Sequence, residues 1–360
     1  MYKPKIGISL GDVNGIGPEV IIKVLMEKRI LNQCIPLIYG SSKVISYHKN
    51  IVNPTEFEYS NLSSAETPVE NKINIINCWS ENVNITLGEP TEDGGKYSAL
   101  SLERALTDLK NGLIDAVVTA PINKQSMSKV NFGFPGHTEY ITQFFGEKNS
   151  MMCMVREDLR IGLVTNHIPI SVVASSISKE LIGKKIKTFK ESLIRDFGIE
   201  KPLIAVLGLN PHASDGGVIG DEDETIVRPA VIEAKKNGNL VFGPFAADGF
   251  FGSNEYKKFH GILAMYHDQG LVPFKLLSFG EGINFTAGLP IVRTSPDHGT
   301  GFDIVGKNIA NPMSMRKALY QAVDIVRQRK TFDEWNKDPL VKQGTHQEGD
   351  DSFNPDEFDQ

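Results

Sequence analysis

The sequence alternates short apolar runs rich in β-branched residues with longer segments in which apolar residues recur at helical spacing. Short runs of this kind, bounded by polar or glycine-containing turns, are typical of buried strands. We predict strands at residues 5–10, 35–39, 73–76, 116–119, 151–155, 161–165, 203–207, 240–242 and 262–266. We predict helices at residues 18–28, 99–111, 138–145, 179–197, 224–237 and 314–329. Regular alternation of the two indicates an α/β fold with mostly parallel sheets.

Length and charge limit what such a chain can do. Its 360 residues are enough for two domains of ordinary size. A net charge of −6 gives no electrostatic case for nucleic-acid binding. The apolar runs fall far short of the roughly 20 residues that cross a bilayer, and the first residues do not resemble a signal peptide. Three cysteines form no CxxC pair and no disulfide framework. We therefore expect a cytoplasmic protein with neither nucleic-acid nor membrane partners.

The last stretch, residues 343–360, differs from the rest of the chain. It carries six carboxylates and no aliphatic side chain. A segment of this composition has too little apolar surface to form a core. We expect it to be a disordered acidic tail.

Three of the eight histidines follow apolar strands directly, namely His167, His212 and His267. Ligands in open α/β sheets bind outside the carboxyl ends of the strands, so three such imidazoles could converge on one metal ion. A site of three histidines suits zinc and related ions and leaves positions open for substrate. Asp248 and Asp268 are nearby carboxylate candidates for the ion or for its surroundings. The alternative is that each histidine is an ordinary polar residue at a strand end.

Two glycine-rich segments could form binding loops. Gly11, Gly15 and Gly17 lie in a turn between a predicted strand and a predicted helix. No glycine follows Gly17 at the spacing of a dinucleotide fingerprint, and Glu19 disfavours a phosphate there. We interpret this segment as a tight turn that could line a cleft. The second segment, residues 297–312, is either a structural turn or a binding loop.

Polar and cationic residues cluster after several strands. Lys275, Asn284 and Arg293 come within thirty residues of His267. His137 and Thr138 stand at a predicted helix start, where free backbone N–H groups favour anions. Lysine and arginine donors suit a phosphate or a carboxylate. The cluster is therefore a candidate anion site, although each member alone could be a surface charge.

Taken together, the motifs resemble the 4-hydroxythreonine-4-phosphate dehydrogenase family of vitamin B6 biosynthesis. The match spans roughly residues 4–330 and includes GDVNGIGPE, TAPINK, GHTEY, LNPHASDGG, AMYHDQGLVPFK and RTSPDHGTGFDIVGK. The resemblance implies two α/β/α domains with mostly parallel sheets and a cleft between them, as in isocitrate and isopropylmalate dehydrogenases. It implies a domain on the NAD side (residues 1–127 and 284–342) and a metal, substrate and dimerisation domain (residues 128–283).

The resemblance also implies roles for individual residues. Metal ligands map onto His167, His212 and His267, and substrate contacts onto His137, Thr138, Lys275, Asn284 and Arg293. The cofactor loop maps onto Gly299, Thr300, Asp303, Asn308 and Asn311. Candidates for proton transfer are Lys275, Asp248 and Asp268. Family members are homodimers with the active site between subunits, so part of each site is expected from a second copy of the chain.

The activity implied by the resemblance is the oxidation of 4-phosphohydroxy-L-threonine at C3, with NAD as hydride acceptor and one divalent metal ion per site. The β-keto acid product then decarboxylates to 3-amino-2-oxopropyl phosphate. NADP remains an alternative to NAD, and zinc, magnesium, cobalt and manganese remain alternatives for the metal. Val13-Asn14 and Asn166-His167-Ile168 depart from the usual family residues. These departures leave room for another substrate, such as threonate or erythronate 4-phosphate. A non-catalytic metal-binding relative is a further alternative.

Overall fold

The computed structural model describes residues 2–338. The strands are β1 (Lys5–Ser9), β2 (Ile35–Gly40), β3 (Tyr59–Leu62), β4 (Ile73–Asn77), β5 (Ala116–Thr119), β6 (Met151–Arg156), β7 (Leu159–Leu163), β8 (Ile204–Leu207), β9 (Val241–Phe245), β10 (Gly261–Ala264), β11 (Ile283–Ala287) and β12 (Val292–Pro296). The helices are α1 (Gly17–Leu25), α2 (Ser42–Val52), α3 (Glu92–Lys110), α4 (Lys124–Lys129), α5 (His137–Phe144), α6 (Val173–Ser176), α7 (Lys179–Arg195), α8 (Arg228–Lys236), α9 (Ala247–Gly252), α10 (His267–Ser278) and α11 (Met313–Trp335). The predicted acidic tail lies outside the described residues.

Within residues 2–338 the strands form one sheet in the order β3-β4-β2-β1-β5-β12-β11-β6-β7-β10-β8-β9. Neighbouring strands are parallel except where β11 pairs with β12 and β6, and where β6 pairs with β7. These antiparallel pairs lie in the middle of the sheet, so β7, β10, β8 and β9 run opposite to β1 and β5. The predicted α/β class with a mostly parallel sheet is confirmed. The division into two domains stays a prediction, and the strands of each predicted domain are contiguous in the sheet.

The nine predicted strands are all present, with ends shifted by at most three residues. Three strands, β3, β11 and β12, were not predicted. In β11 and β12 polar residues such as Asn284 and Arg293 interrupt the apolar pattern on which the prediction depends. Five helices, α2, α4, α6, α9 and α10, were also missed. The helix predicted at residues 224–237 is split into a π-helical turn, Asp223–Val227, and α8.

Apolar side chains cover the two faces of the sheet differently. On one face, Val118 of β5, Val292 of β12 and Phe285 of β11 belong to one continuous core with α1 and α11. On the other face there are two separate clusters. One covers the half with β2 and β5, and the other covers the half with β7 and β10.

A polar stripe separates these two clusters. Because side chains alternate along a strand, one face of β11 and β12, together with the last residue of β5, presents only polar groups. They are Thr119, Asn284, Thr286, Arg293 and Ser295. The candidate site lies on this stripe. None of the described helices is both long enough and apolar enough to cross a membrane.

Candidate active site

The polar stripe forms the floor of a pocket. Its walls come from the start of α5, the segment after β5, the segment after β12, and His167 beyond β7. Four of the five predicted substrate residues line it, namely His137, Thr138, Asn284 and Arg293. The fifth, Lys275, lies two turns into α10, with its Nζ 3.5 Å from Asp297 Oδ1. The structure therefore brings four of the five residues together, with Lys275 at the edge of the pocket, and their role in substrate binding stays a prediction.

Arg293 is the central feature of the pocket floor. Its side chain is buried, with 2% of the residue exposed. Nη2 and Nε donate to Thr119 Oγ1 at 2.8 and 3.2 Å, and Nη1 donates to Thr286 Oγ1 at 3.2 Å. Within residues 2–338 no carboxylate forms an ion pair with it, and burial lowers the pKa of Arg293 to about 10. A buried cation with only hydroxyl partners is costly, so this position favours an anionic ligand.

Several buried polar atoms around Arg293 have no hydrogen-bond partner among the described residues. They are His137 Nε2, Glu139 Oε2, Asn284 Oδ1 and His298 Nε2. Burial and the charge of Arg293 lower the pKa of His137 to about 3, so its ring is neutral near pH 7. Buried polar groups are nearly always satisfied, and unsatisfied ones gathered in one pocket indicate a polar ligand.

His167 lines this pocket, and His267 lies beside it in a second cavity that both histidines line. Their ring centroids are 5.6 Å apart. The parallel pairing of β7 with β10 continues past the strand ends, because Thr165 N and Oγ1 both donate to Met265 O. Two residues further on in each segment, the histidines meet. His167 and His267 are therefore close to each other because they follow the ends of two paired strands, β7 and β10.

A carboxylate is close to Nδ1 of each of these histidines. Asp268 Oδ1 is 2.7 Å from His267 Nδ1, and Glu139 Oε1 is 3.5 Å from His167 Nδ1. In proteins a carboxylate at one ring nitrogen fixes the tautomer and leaves the other nitrogen free to bind a metal. This arrangement would leave Nε2 of each ring free for a metal ion, and the ligand role of the two histidines stays a prediction.

His212 does not join this pair within one chain. It is exposed in the turn after β8, where residues 212–216 all have positive φ angles. Asp223 holds this turn, since its carboxylate accepts from Leu209 N, Asn210 N and Ser214 Oγ. No group of three or more His, Cys, Asp or Glu side chains in residues 2–338 is arranged to hold a metal ion. Convergence of all three histidines in a single chain is therefore not observed.

Asp248, a predicted proton-transfer candidate, is exposed on α9, which packs against the turn that carries His212. It does not line the pocket in the same chain. Asp268, the other carboxylate candidate, is committed to His267. The predicted residues therefore form two groups in one chain, with His212 and Asp248 apart from the others.

The predicted cofactor loop packs on the turn after β1. Thr300 O accepts from Ile16 N at 2.9 Å, and a Cβ on Gly15 would approach Thr300 O to 2.8 Å. Gly299 lines the pocket, and Asp303 is exposed. Two predicted contacts have structural roles in this chain. Asn308 Nδ2 donates to Val52 O, and Asn311 Oδ1 accepts from Met313 N just before α11. A cofactor role for these residues stays a prediction.

Sequence reasoning missed several polar residues in or beside the pocket, among them Glu139, His298, Thr119 and Thr286. Glu139 and His298 stand inside motifs already singled out, GHTEY and SPDHG, but no spacing relates them to His167 or Arg293. Thr119 and Thr286 would have been found had β12 been recognised. Strand alternation then places both threonines on the face of Arg293.

A pocket with these features belongs to an α/β enzyme that acts on a small anion. The model of the family described as pyridoxal phosphate biosynthetic protein PdxA matches residues 32–322, and the chain belongs to that family. This membership confirms the family identified from the motifs.

Sequence similarity to named relatives extends over nearly the whole chain. A Bacteroides thetaiotaomicron protein named 4-hydroxythreonine-4-phosphate dehydrogenase is 47% identical over 342 residues, which cover 95% of this chain and 94% of that protein. An Oceanobacillus iheyensis protein named putative D-threonate 4-phosphate dehydrogenase is 35% identical, with 90% and 98% covered. A crystal structure of 4-hydroxythreonine-4-phosphate dehydrogenase from Klebsiella pneumoniae superposes with a TM-score of 0.80 at 32% identity, with 90% and 98% covered.

Proposed function

We propose that this chain catalyses the NAD-dependent oxidation of 4-phosphohydroxy-L-threonine at C3, a step of pyridoxal 5′-phosphate biosynthesis. The observation that carries the proposal is Arg293, a buried cation without a carboxylate partner, beside a histidine pair suited to a metal. The family and the most similar relatives support the same substrate. We further propose a cytoplasmic location, in keeping with three free cysteines.

The pocket residues would bind and orient the substrate. Arg293 pairs with a substrate anion, and its hydrogen bonds to Thr119 and Thr286 fix the guanidinium before binding. The neutral His137 and the Asn284 amide supply hydrogen bonds from atoms that otherwise lack partners. Lys275 stands at the edge of the pocket, on the helix that begins at His267. It is the candidate to hold a second anionic group or to accept the hydroxyl proton.

The proposed reaction is balanced without a further oxidant. A hydride leaves C3 for NAD⁺ and a proton leaves the C3 hydroxyl, which yields 2-amino-3-oxo-4-phosphooxybutanoate and NADH. The carbon–carboxylate bond then breaks, CO₂ departs, and the electron pair moves toward the C3 ketone before protonation. This gives 3-amino-2-oxopropyl phosphate. NAD is proposed to bind near Gly299 and Thr300, and NADP is the alternative.

His167 and His267 are suited to hold one divalent ion, because each keeps Nε2 available while a carboxylate is close to Nδ1. Imidazole ligands accept zinc, cobalt, manganese or, less readily, magnesium. A bound ion would supply Lewis acidity that lowers the pKa of the C3 hydroxyl. Two histidines are too few for a closed site, so we propose that His212 from a second copy of the chain is the third ligand.

In a homodimer, His212 of the second copy could reach the metal site formed by His167 and His267. Outward-facing residues of α10 form an apolar stripe, since Val272, Leu276 and Phe279 are 56%, 69% and 82% exposed. The inward face of the same helix is also apolar, with Leu271 and Phe274 buried. A helix that is apolar on both faces usually has a second surface to pack against. As α10 begins at His267, a copy packed on this stripe would lie beside the metal ligands.

The Leu276→Asp variant is expected to be monomeric and inactive. Leu276 is the middle of the stripe, and a buried unpaired carboxylate in an apolar interface costs several kcal/mol. Sedimentation velocity with a parallel NADH assay measures both effects. Trp335→Asp is the matched control, because Trp335 is 75% exposed at the end of α11 and outside the stripe. A dimeric, active Leu276→Asp protein would contradict the proposed interface.

The activity itself is tested with two substrates and two cofactors. Purified protein supplied with metal is expected to form NADH from 4-phosphohydroxy-L-threonine and to stop after chelator treatment. D-threonate 4-phosphate is the second candidate, because one relative is named for it. It replaces the 2-amino group by a hydroxyl, so the ratio of kcat/KM values separates the two. Full turnover in metal-stripped enzyme would refute the metal requirement, and turnover of neither substrate would refute the proposal.

A further inference from the structure

We infer that Glu139 is a positioning residue for His167: its carboxylate holds the imidazole in the tautomer that offers Nε2 to a metal ion. The inference rests on the proposed metal site. It begins from the geometry of the two histidines. Glu139 Oε1 is 3.5 Å from His167 Nδ1, as Asp268 Oδ1 is 2.7 Å from His267 Nδ1. Glu139 comes from another part of the chain, 28 residues away, and none of the sequence motifs links it to His167.

Local structure explains how Glu139 reaches this position. Helix α5 begins at His137, so Glu139 lies in its first turn, where the free N–H groups favour a carboxylate. Gly136 precedes the helix, and a Cβ there would come within 3.3 Å of Glu139 Oε2. The absence of a side chain at residue 136 therefore leaves room for the carboxylate. The hydrogen bond from His167, and more weakly the charge of Arg293, keep the pKa of Glu139 below its usual value.

Glu139 is also better protected than the corresponding partner of His267. The Glu139 side chain is 31% exposed, whereas that of Asp268 is 78% exposed. Water screens an exposed charge, so the less exposed carboxylate has the larger effect on its histidine. Glu139 Oε2 is buried without a partner among the described residues, and the charge of Glu139 also acts on the Arg293 guanidinium.

An acceptor at Nδ1 has two consequences for metal binding. It keeps the proton on Nδ1, so the lone pair stays on Nε2, and it makes the ring a stronger donor to the metal. Loss of such a carboxylate partner typically weakens metal affinity by 10- to 100-fold. A residue that only filled space, or only balanced the charge of Arg293, would leave the tautomer and the metal affinity unchanged.

The test compares Glu139→Ala and Glu139→Gln with His167→Ala in the full-length protein. Dissociation constants for Zn²⁺ are measured by competition with a chromophoric chelator. We expect Glu139→Ala to bind Zn²⁺ about 10- to 100-fold more weakly. Glu139→Gln keeps an amide oxygen that can accept from Nδ1, so it should fall between Glu139→Ala and the unchanged protein. Glu147→Gln, three residues past the end of α5, is the matched control and should bind as the unchanged protein does.

A second readout does not need the metal. The chain has eight histidines, so selective ¹⁵N-histidine labelling resolves their tautomers by NMR in the metal-free protein. His167 is expected to carry its proton on Nδ1 in the unchanged protein and in Glu139→Gln, and to shift toward the other tautomer in Glu139→Ala. Unchanged affinity and tautomer in Glu139→Ala, with weakened binding in His167→Ala, would overturn the inference. Unchanged affinity in His167→Ala would instead overturn the proposed metal site.

Discussion

Arg293→Met is expected to lower kcat/KM by about 30- to 4,000-fold, which corresponds to the 2–5 kcal/mol lost when one partner of a buried charge pair is truncated. The partner in this case is the substrate anion. Methionine has a similar length but no charge, so the pocket keeps its shape while losing its cation. The free energy of unfolding of the ligand-free protein should stay the same or rise, because no carboxylate among the described residues pairs with Arg293. Steady-state kinetics and chemical denaturation measure the two effects separately.

A second buried arginine provides the control. Arg329 is 7% exposed and donates to Asp196 Oδ1 at 2.6 Å, and also to the carbonyl groups of Leu289 and Pro290. Arg329→Met strands a buried carboxylate, so it should cost about 3–5 kcal/mol of stability while KM stays unchanged. Arg293→Met is therefore expected to lower kcat/KM without a loss of stability, whereas Arg329→Met is expected to lower stability without a change in KM. If Arg293→Met were destabilised like Arg329→Met and kept its KM, Arg293 would be structural and the anion site would be elsewhere.

His267→Ala is expected to bind no metal at stoichiometric concentration and to lose at least about 100-fold in kcat, since a Lewis acid typically supplies several kcal/mol of transition-state stabilisation. Elemental analysis after dialysis and the NADH assay measure these effects. His260→Asn is the matched control. His260 Nδ1 accepts from Leu203 N, which an asparagine oxygen can replace, and His260 lies at the amino end of β10 rather than at its carboxyl end. Full metal content in His267→Ala would contradict the ligand assignment.

The sequence predicted the parts of the fold in which one physical pattern dominates. Buried strands such as β1 and β10 appear as apolar runs, and His167 and His267 follow the carboxyl ends of the paired strands β7 and β10, as predicted. The prediction failed where the sheet carries the site. In β11 and β12 the residues facing the pocket are polar for function, so the alternation that identifies a strand is obscured.

The arrangement of the pocket depends on pairings between distant segments. Thr119 approaches Arg293 only because β5 pairs with β12, and these residues are 174 positions apart. Glu139 approaches His167 only because α5 lies over the central strands. The reversal of strand direction at β11 and β6 likewise has no local signal, since either direction satisfies the same apolar pattern. The motifs were enough to predict which residue types the site contains. The contacts between those residues could be identified only from the folded structure.

The central claim is that one active site combines the His167–His267 pair of one chain with His212 of another. It is tested most directly by a hybrid dimer of His167→Ala and His212→Ala chains, purified through two different tags. Each homodimeric variant should be inactive. In the hybrid, both changes fall in one site and the other site is intact, so roughly half of the normal activity should return. A hybrid no more active than its parents would contradict the claim, because each site would then take all three histidines from a single chain.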